Sequence, residues 1–287
     1  MPVAQSADDY TWRGSLLDLH CCCCLPYQNA FGKALLAEAD DGASVVRLLS
    51  PWTAPPGEVI GRAFSGTPTS DPELAFHWVL GDQLSDLNSP ARQSMIQGIG
   101  TCEARVAACV SLLQCGSDPV AVLGSYGADG VLQAVLFARH LGQPPSECCS
   151  VCAVCGLCCC TGTLLWEVAA AFCCGPSEAG ELGDVVDKTM YRFHNAYAPK
   201  EHVYVNMMAV SPEHQGKGNC GRLMRAVSRY ADERGVPAYL ECSGEKNPKV
   251  YAKFGYAISE TAKLVHPSKP EASFDQFHAM VRPPAAK

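Results

Sequence analysis

Residues 202–234 read HVYVNMMAVSPEHQGKGNCGRLMRAVSRYADER, a strand-like segment, a glycine-rich turn and a helix-like segment in succession. Residues 203–210 are rich in β-branched and apolar side chains, which predicts a strand. Pro212 cannot donate to a sheet and therefore ends that strand. A glycine-rich turn over 215–221 follows, and the apolar residues after it keep helical spacing. These apolar residues are Leu223, Met224, Val227 and Tyr230.

The glycine-rich turn is suited to holding a phosphate group. The first turn of a helix leaves four N–H groups without partners, and the helix dipole adds partial positive charge there. Glycines let the backbone approach an anion without an intervening side chain. The turn has neither the GK[ST] of a P-loop nor a GxGxxG that opens a dinucleotide-binding βαβ unit. The plainer alternative is a turn that only caps the helix.

Gln-x-x-Gly after a strand that ends in Ala-Val resembles the acetyl-CoA-binding motif of the GNAT superfamily of N-acetyltransferases. In that family the turn holds the pyrophosphate and the strand pairs with the pantetheine arm. The resemblance implies that Met208, Ala209 and Val210 bind pantetheine. It implies that the turn binds pyrophosphate through Gln215, Gly216, Lys217, Gly218, Asn219, Cys220 and Gly221. Cys220 stands where the family has Gly or Ala.

A second motif of the same family follows the helix. Residues 243–256 read SGEKNPKVYAKFGY. This resembles the last GNAT motif, in which an Asn precedes a helix that carries a Tyr, followed by Phe-Gly-(Tyr/Phe). The matching residues are Asn247, Tyr251, Phe254, Gly255 and Tyr256, and the resemblance places the first three at the cofactor. Two motifs in the family's order and spacing are far more specific than either alone.

The resemblance implies an α/β (α+β) protein with the GNAT fold, a mixed, mostly antiparallel central sheet flanked by helices. Apolar runs predict strands over 43–49, 120–126, 132–139, 238–242, 257–265 and 274–281. Ala128-Asp129-Gly130 predicts a hairpin turn between the second and third of these strands. We expect an N-terminal extension over 1–42, including a short helix over 30–39, and a GNAT domain over 43–287. We expect residues 141–200 to form a cysteine-rich helical insertion within that domain.

The cysteines raise the question of a metal centre. Cys149, Cys152, Cys155 and Cys159 coincide with the spacing of a four-iron cluster motif, but the usual following proline is missing. The adjacent cysteines at 21–24 could attract a soft metal, but neighbours in sequence cannot all point at one ion without strain. We expect small packing residues and reactive thiols, with no metal site.

An apolar run over 151–172 is long enough to span a bilayer. It contains Glu167 and lacks flanking basic residues, and a span there would separate the predicted strands onto opposite sides of a membrane. We therefore expect a packed helix and no membrane partner.

Composition narrows the class of protein further. The chain of 287 residues carries a formal charge of −7 and no basic stripe, which argues against a nucleic-acid partner. The N-terminus lacks a basic segment followed by an apolar run, so we expect an intracellular, cytoplasmic protein whose 18 cysteines are thiols.

Acetyl transfer to an amine needs a base, donors to the oxyanion and a proton for the leaving thiolate. Tyr251 matches the family's general acid, and a phenol with a pKa of about 10 is a reasonable donor to a thiolate. Strand alternation would place His202, Tyr204, Asn206 and Met208 on one face. His202 is one candidate base, and Glu241 is the other, because the family often uses a carboxylate.

The sequence thus predicts a transferase that moves acetyl from acetyl-CoA to a primary amine by direct attack in a ternary complex, with a small-molecule acceptor. Two alternatives stay open: a GNAT-like sensor that binds acyl-CoA without catalysis, and a cysteine-rich metal or redox protein.

Overall fold

The computed structural model describes residues 29–39, 45–49, 54–65, 74–80, 118–142 and 178–286, with 90, 93, 96 and 97. The cysteine runs at 21–24 and 148–160 and the apolar run over 151–172 lie outside the described residues. Among the helices that are described, none combines the length and the hydropathy needed to cross a bilayer.

Seven strands form one sheet with the order β1-β2-β3-β4-β5-β7-β6. They are β1 (Val45–Leu48), β2 (Val120–Tyr126), β3 (Leu132–Leu141), β4 (His202–Val210), β5 (Ala238–Ser243), β6 (Ala257–Leu264) and β7 (Phe274–Arg282). Every neighbouring pair is antiparallel except β4 and β5, which are parallel. A parallel pair needs a crossover, and a helix supplies it here. The mixed, mostly antiparallel sheet predicted from the sequence is confirmed.

Helices cover both faces of the sheet. They are α1 (Ala30–Ala39), α2 (Ala54–Ser65), α3 (Leu74–Leu80), α4 (Glu178–Tyr197), α5 (Asn219–Arg234) and α6 (Lys246–Ala252). The first face carries α1, α5 and α6, and the second carries α2, α3 and α4. Short 3-10 helices lie at Pro212–His214 and Pro270–Ala272.

The crossover helix α5 buries the apolar stripe that its sequence predicts. Leu223, Met224 and Val227 are 0% exposed and Tyr230 is 1% exposed, all within the core of the first face. The helix ends at Gly235, whose φ of 68° lets its N–H return to the carbonyls of Ala231 and Asp232. The amphipathic pattern therefore decides which side of α5 packs against the sheet.

The helix α1 belongs to the same core. Phe31 is 2% exposed and Leu35 is 0% exposed, and the Phe31 ring meets the Tyr230 ring edge-on at 5.0 Å. The Asn29 amide also donates to the carbonyl of Val120 at 2.8 Å. The extension expected over 1–42 thus includes a helix that is part of the folded core.

The described part of the expected insertion is α4, which packs on the second face. Phe193 is 0% exposed and stacks on Phe277 with ring centroids 6.0 Å apart. Both Arg192 and the Tyr197 hydroxyl donate to the Glu260 carboxylate of β6. These contacts attach α4 to the edge of the sheet.

A β-bulge interrupts β4 at Asn206. In the ladder with β3, Phe137 pairs with Met207 and Ala138 pairs with Val205, so Asn206 is an extra residue on β4. The bulge shifts every later side chain of β4 to the opposite face from the one that alternation predicts.

The bulge moves Met208 away from the face that alternation predicts for it. Val205 lies before the bulge and Met208 after it, and both belong to or pack against the core of the first face. Tyr204 and Met207 lie in the cores of the second face. The expectation that His202, Tyr204, Asn206 and Met208 share one face is therefore wrong, because Met208 points toward α5.

Aromatic and histidine rings gather where α4 crosses β4 and β5. The His202 ring lies 4.9 Å from that of His194 and 5.9 Å from that of Tyr239, and its Nδ1 is 2.6 Å from the carbonyl oxygen of Pro199. His202 is 3% exposed. Burial, followed by the neighbouring His194, lowers the pKa of His202 to about 4.

This lowered pKa predicts a loss of stability in acid. The folded protein holds His202 neutral below the unfolded pKa of about 6.5, so the unfolded chain takes up more protons as the pH falls. The contribution is complete above pH 6.5 and disappears as the pH falls through about 4. It amounts to at most about 3 kcal/mol.

Urea unfolding between pH 7 and pH 4 measures this directly. His202→Gln should flatten the decline of the free energy of unfolding, whereas His214→Gln, a half-buried histidine outside the cluster, should leave the decline as in the parent protein. An unchanged slope in the His202 variant would show that this histidine is not held neutral.

Candidate active site

The strands β4 and β5 separate soon after they begin to pair. Their described ladder holds the pairs Val203 with Ala238 and Tyr204 with Tyr239, and the Val203 N–H donates to the carbonyl of Pro237 at 2.9 Å. Beyond Tyr204, β4 continues for six residues. The sheet therefore has an opening between two neighbouring strands, at their carboxyl ends, where ligands of open α/β sheets bind.

The glycine-rich turn lies at the end of β4. Gly216 and Gly218 have φ angles of 72° and 86°, a region that only glycine enters at low cost. A Cβ built on either residue would meet no atom within 4 Å among those described, so conformation and not crowding requires glycine here. The Gln215 amide reaches back to the carbonyl of Val210 at 3.4 Å.

The helix α5 starts directly from this turn. Gly218 is its N-cap, and in the described part of the chain no side chain caps it. The first N–H groups of a helix have no acceptor within the helix, and the dipole places positive charge beside them. With open space in front of the glycines, the turn has the properties of an anion site.

The Asn219 side chain holds the turn against the sheet. This residue is 4% exposed; its Oδ1 accepts from the hydroxyl of Ser125 at 3.0 Å, and its Nδ2 donates to the side-chain Oε1 of Gln133 at 3.2 Å. Arg222 donates to the same Oδ1 at 3.1 Å. The side chain of Asn219 therefore faces the protein, and its backbone N–H is what the residue can offer to a ligand.

The second motif lies beside the first. A Cβ on Gly221 would lie 3.8 Å from the ring of Phe254, so α6 and its following turn cover the first turn of α5. Tyr251 and Phe254 pack against the same core as Met208. The Asn247 amide donates to the carbonyl of Ser243 at 3.0 Å, which ties α6 to the end of β5. The fold thus brings together residues from both sequence motifs.

A buried arginine fixes the Phe254 segment in place. Arg282 is 8% exposed; its Nε donates to the Phe254 carbonyl at 2.8 Å and its two Nη atoms donate to the Asp232 carboxylate at 2.8 and 2.7 Å. These hydrogen bonds lower the pKa of Asp232. Sequence reasoning missed Arg282, Ser125 and Gln133, since nothing in their local sequence signals contacts with residues tens of positions away.

The candidate bases lie at different ends of the site. Glu241 is on β5, two residues beyond the last pair with β4, on the opposite face from Cys242. Cys242 belongs to the core of the first face, against which Tyr251 packs, so Glu241 and Tyr251 lie on opposite sides of the opening. His202 is six residues from Met208, about 20 Å along the strand, and is not brought to the opening.

The described cysteines near the site are not reactive nucleophiles. Burial raises the pKa of the Cys220 thiol to about 11, so it stays protonated near neutral pH. Cys242 is buried with its sulfur 3.6 Å from that of Met280. Within the described ranges, no group of three or more His, Cys, Asp or Glu residues is arranged to hold a metal ion.

Comparison with known proteins gives matches to acetyltransferases. A model of the acetyltransferase (GNAT) family matches residues 166–256, the segment that holds β4, the glycine turn, α5, β5 and α6. An uncharacterised N-acetyltransferase of Schizosaccharomyces pombe is 33% identical over 61 residues, which are 21% of this chain and 25% of that protein. The chain therefore spans about a quarter of the length of this curated relative.

Solved acetyltransferase structures resemble the chain over more of its length. One from Corynebacterium glutamicum, described as histone acetyltransferase HPA2 and related acetyltransferase, covers 85% of this chain and 98% of its own, at 13% identity and a TM-score of 0.49. Arylalkylamine N-acetyltransferase 2 from Aedes aegypti covers 83% of this chain and 98% of its own, at 10% identity and a TM-score of 0.47.

The family model matches the segment in which both sequence motifs lie, and the structure joins those motifs around one opening in the sheet. Residues 166–256, which hold the candidate site, are therefore similar to the acetyltransferase (GNAT) family.

Proposed function

We propose that this protein is an N-acetyltransferase that uses acetyl-CoA to acetylate the primary amine of a small molecule. The observation that carries the proposal is the opening between β4 and β5, with a glycine turn at its end and a tyrosine on one side. The pyrophosphate of acetyl-CoA is joined directly to its amide-containing arm. A binding site for acetyl-CoA therefore needs an anion site next to the edge of a strand.

The residues present fit this co-substrate. Backbone N–H groups of the turn over 216–221 would hold the pyrophosphate, and Gln215 lies beside them. The edge of β4 at Met208, Ala209 and Val210 would pair with the amides of the pantetheine arm as a neighbouring strand does. Open space at both glycines leaves room for the phosphates.

The charge around the opening also suits a polyanion. The chain as a whole carries a charge of −7, but residues 217–253 contain eight Lys and Arg residues and four Asp and Glu residues. Exposed cations in this segment are Lys217, Arg225, Arg229, Arg234, Lys246, Lys249 and Lys253. This local excess of positive charge would attract the phosphates of acetyl-CoA to the turn.

Tyr251 is the proposed general acid. Acetyl transfer forms a C–N bond as the amine attacks the thioester carbonyl, and it breaks the C–S bond. The departing thiolate takes a proton from the Tyr251 hydroxyl. The half-buried position of Tyr251 against the core under α6 suits a group that must meet the sulfur at the inner end of the arm.

Glu241 is the proposed base, in preference to His202. The attacking amine must lose a proton, and Glu241 lies within the opening on the face away from Tyr251, so the amine would enter from the α2 and α3 side. Leu74 of α3 reaches Gly244 at the end of β5, where a Cβ would lie 2.7 Å from its Cδ1. His202 lies before the point where the strands separate, about 20 Å from Met208 along β4, and is enclosed by the rings of His194 and Tyr239.

The first prediction concerns binding. Gly218→Asp places a carboxylate where the pyrophosphate would lie and strains an αL residue, so the affinity for coenzyme A should fall about 100-fold. The matched control is Gly235→Asp at the other end of the same helix, where φ is 68° and the space is also open. It shares the strain and the charge, and it should retain the parent affinity within about twofold.

Isothermal titration calorimetry with coenzyme A measures both variants, and thermal melting compares their stability. Equal affinities in the two variants would contradict the proposed anion site.

The second prediction concerns chemistry. Tyr251→Phe keeps the ring but removes the proton, so kcat should fall roughly 100-fold while the KM for acetyl-CoA changes little. Tyr191→Phe is the control, because Tyr191 is 73% exposed on α4. Release of free thiol with a panel of small amines gives the rates. A parent protein that binds coenzyme A but acetylates no amine would instead be a sensor.

A further inference from the structure

The carboxylate of Glu241 is held by a buried tyrosine of its own strand. The Tyr239 hydroxyl donates to Glu241 Oε1 at 2.8 Å. Residues two apart on a strand share a face, so the two side chains lie side by side on the second face of the sheet. The pair joins a rigid aromatic group to a half-buried carboxylate at the opening.

Tyr239 lies at the point where the two strands separate. It forms the last described pair of the ladder with Tyr204, and Glu241 follows two residues later, about 7 Å farther into the opening. Tyr239 is thus the last residue of β5 that β4 anchors, and Glu241 is the first residue on the same face that β4 no longer pairs with.

The packing around Tyr239 leaves its ring no freedom. The residue is 0% exposed, and its ring centroid lies 5.1 Å from that of His194 and 5.7 Å from that of Tyr204. Burial, with a further contribution from Glu241, raises the pKa of the Tyr239 hydroxyl well above its ordinary value. The hydroxyl therefore remains a hydrogen-bond donor over the whole working range of an enzyme.

We infer that Tyr239 is a positioning residue for catalysis, whose fixed hydroxyl holds one oxygen of Glu241 and so orients the carboxylate that receives the proton of the acceptor amine. This inference rests on the proposed function, in which Glu241 is the base. A hydrogen bond to the ionised carboxylate also favours that form over the protonated one. Tyr239 would then both restrict the rotation of the base and keep it ready to accept a proton.

Several charged or titratable groups face this pair. His194 on α4 and His202 and Tyr204 on β4 surround the Tyr239 ring, and Arg139 on β3 acts on both histidines. The pKa values of both histidines are lowered, chiefly by burial, so they carry no charge near neutral pH.

The test is Tyr239→Phe, which keeps the ring and its packing but removes the donor. Glu241 is followed by ¹³C NMR of labelled glutamate carboxylates, with Glu241→Gln identifying the signal, and kcat is measured against pH. We expect the titration midpoint of Glu241 and the acidic limb of the kcat profile to rise together by about one pH unit.

Tyr230→Phe is the matched control. Tyr230 is also buried, and its hydroxyl forms a hydrogen bond of similar length, 2.9 Å, with Nδ1 of His140 in the core of the first face. Loss of that bond should lower stability by a similar amount without moving either the midpoint or the acidic limb.

The outcomes separate this inference from the proposed function. A parallel upward shift in Tyr239→Phe alone supports it. If the Glu241 midpoint does not move, the inference about Tyr239 is overturned, whereas the proposed acetyl transfer is not. If the Glu241 midpoint moves but the pH profile of kcat does not, the hydrogen bond is only structural, and the catalytic role of Tyr239 is overturned. Full activity in Glu241→Gln, or no turnover by the parent protein, overturns it through the proposed function.

Discussion

β4 is hydrogen-bonded to β3 along its length but pairs with β5 only at Val203 and Tyr204. Backbone groups that leave a ladder inside a folded protein need other partners. The strand edge beyond Tyr204 does not pair with β5, and under the proposed function an amide-containing ligand would complete it as an additional strand. The proposed site depends on this separation, because the separation would provide both the entrance and the edge that binds the ligand.

The parts around the opening come from distant places in the chain and are fixed by buried polar contacts. Asn219 ties the start of α5 to β2 and β3 through Ser125 and Gln133. Arg282 ties the turn after α6 to the end of α5 through Phe254 and Asp232. The hydrogen-bond networks of Asn219 and Arg282 each satisfy buried polar groups. Removing one partner would therefore leave the other desolvated and unpaired. The turn and its aromatic cover are held rigid before any ligand binds.

Much of this arrangement can be predicted from the sequence, because it follows from patterns among residues that are close together in the chain. The succession of strand, glycine turn and helix follows from short-range periodicity and from residues with special backbone freedom, and the stripe that includes Leu223 and Val227 correctly predicts the buried face of α5. The order of the strands follows from the resemblance to the family. Positive φ at Gly216 and Gly218 agrees with the role of glycine in the motif.

The remainder depends on contacts that no local pattern encodes. The bulge at Asn206 reverses the faces of later residues, and a polar residue in a strand gives the same signal whether it is bulged or paired. The helix α1 lacks a strong apolar period, and its place in the core is evident only from folded contacts such as that of Phe31 with Tyr230. The inward direction of Asn219 and the hydrogen bond from Tyr239 to Glu241 likewise require the folded geometry.

The most direct test of the account is the map of backbone amide signals that move when coenzyme A is added to ¹⁵N-labelled protein. We predict that the largest shifts fall in two groups, the turn over 216–221 and the edge of β4 over 208–210, with the far ends of β4 and β5 unaffected. Shifts concentrated elsewhere, or none at saturating coenzyme A, would contradict the claim that the opening between β4 and β5 is the binding site.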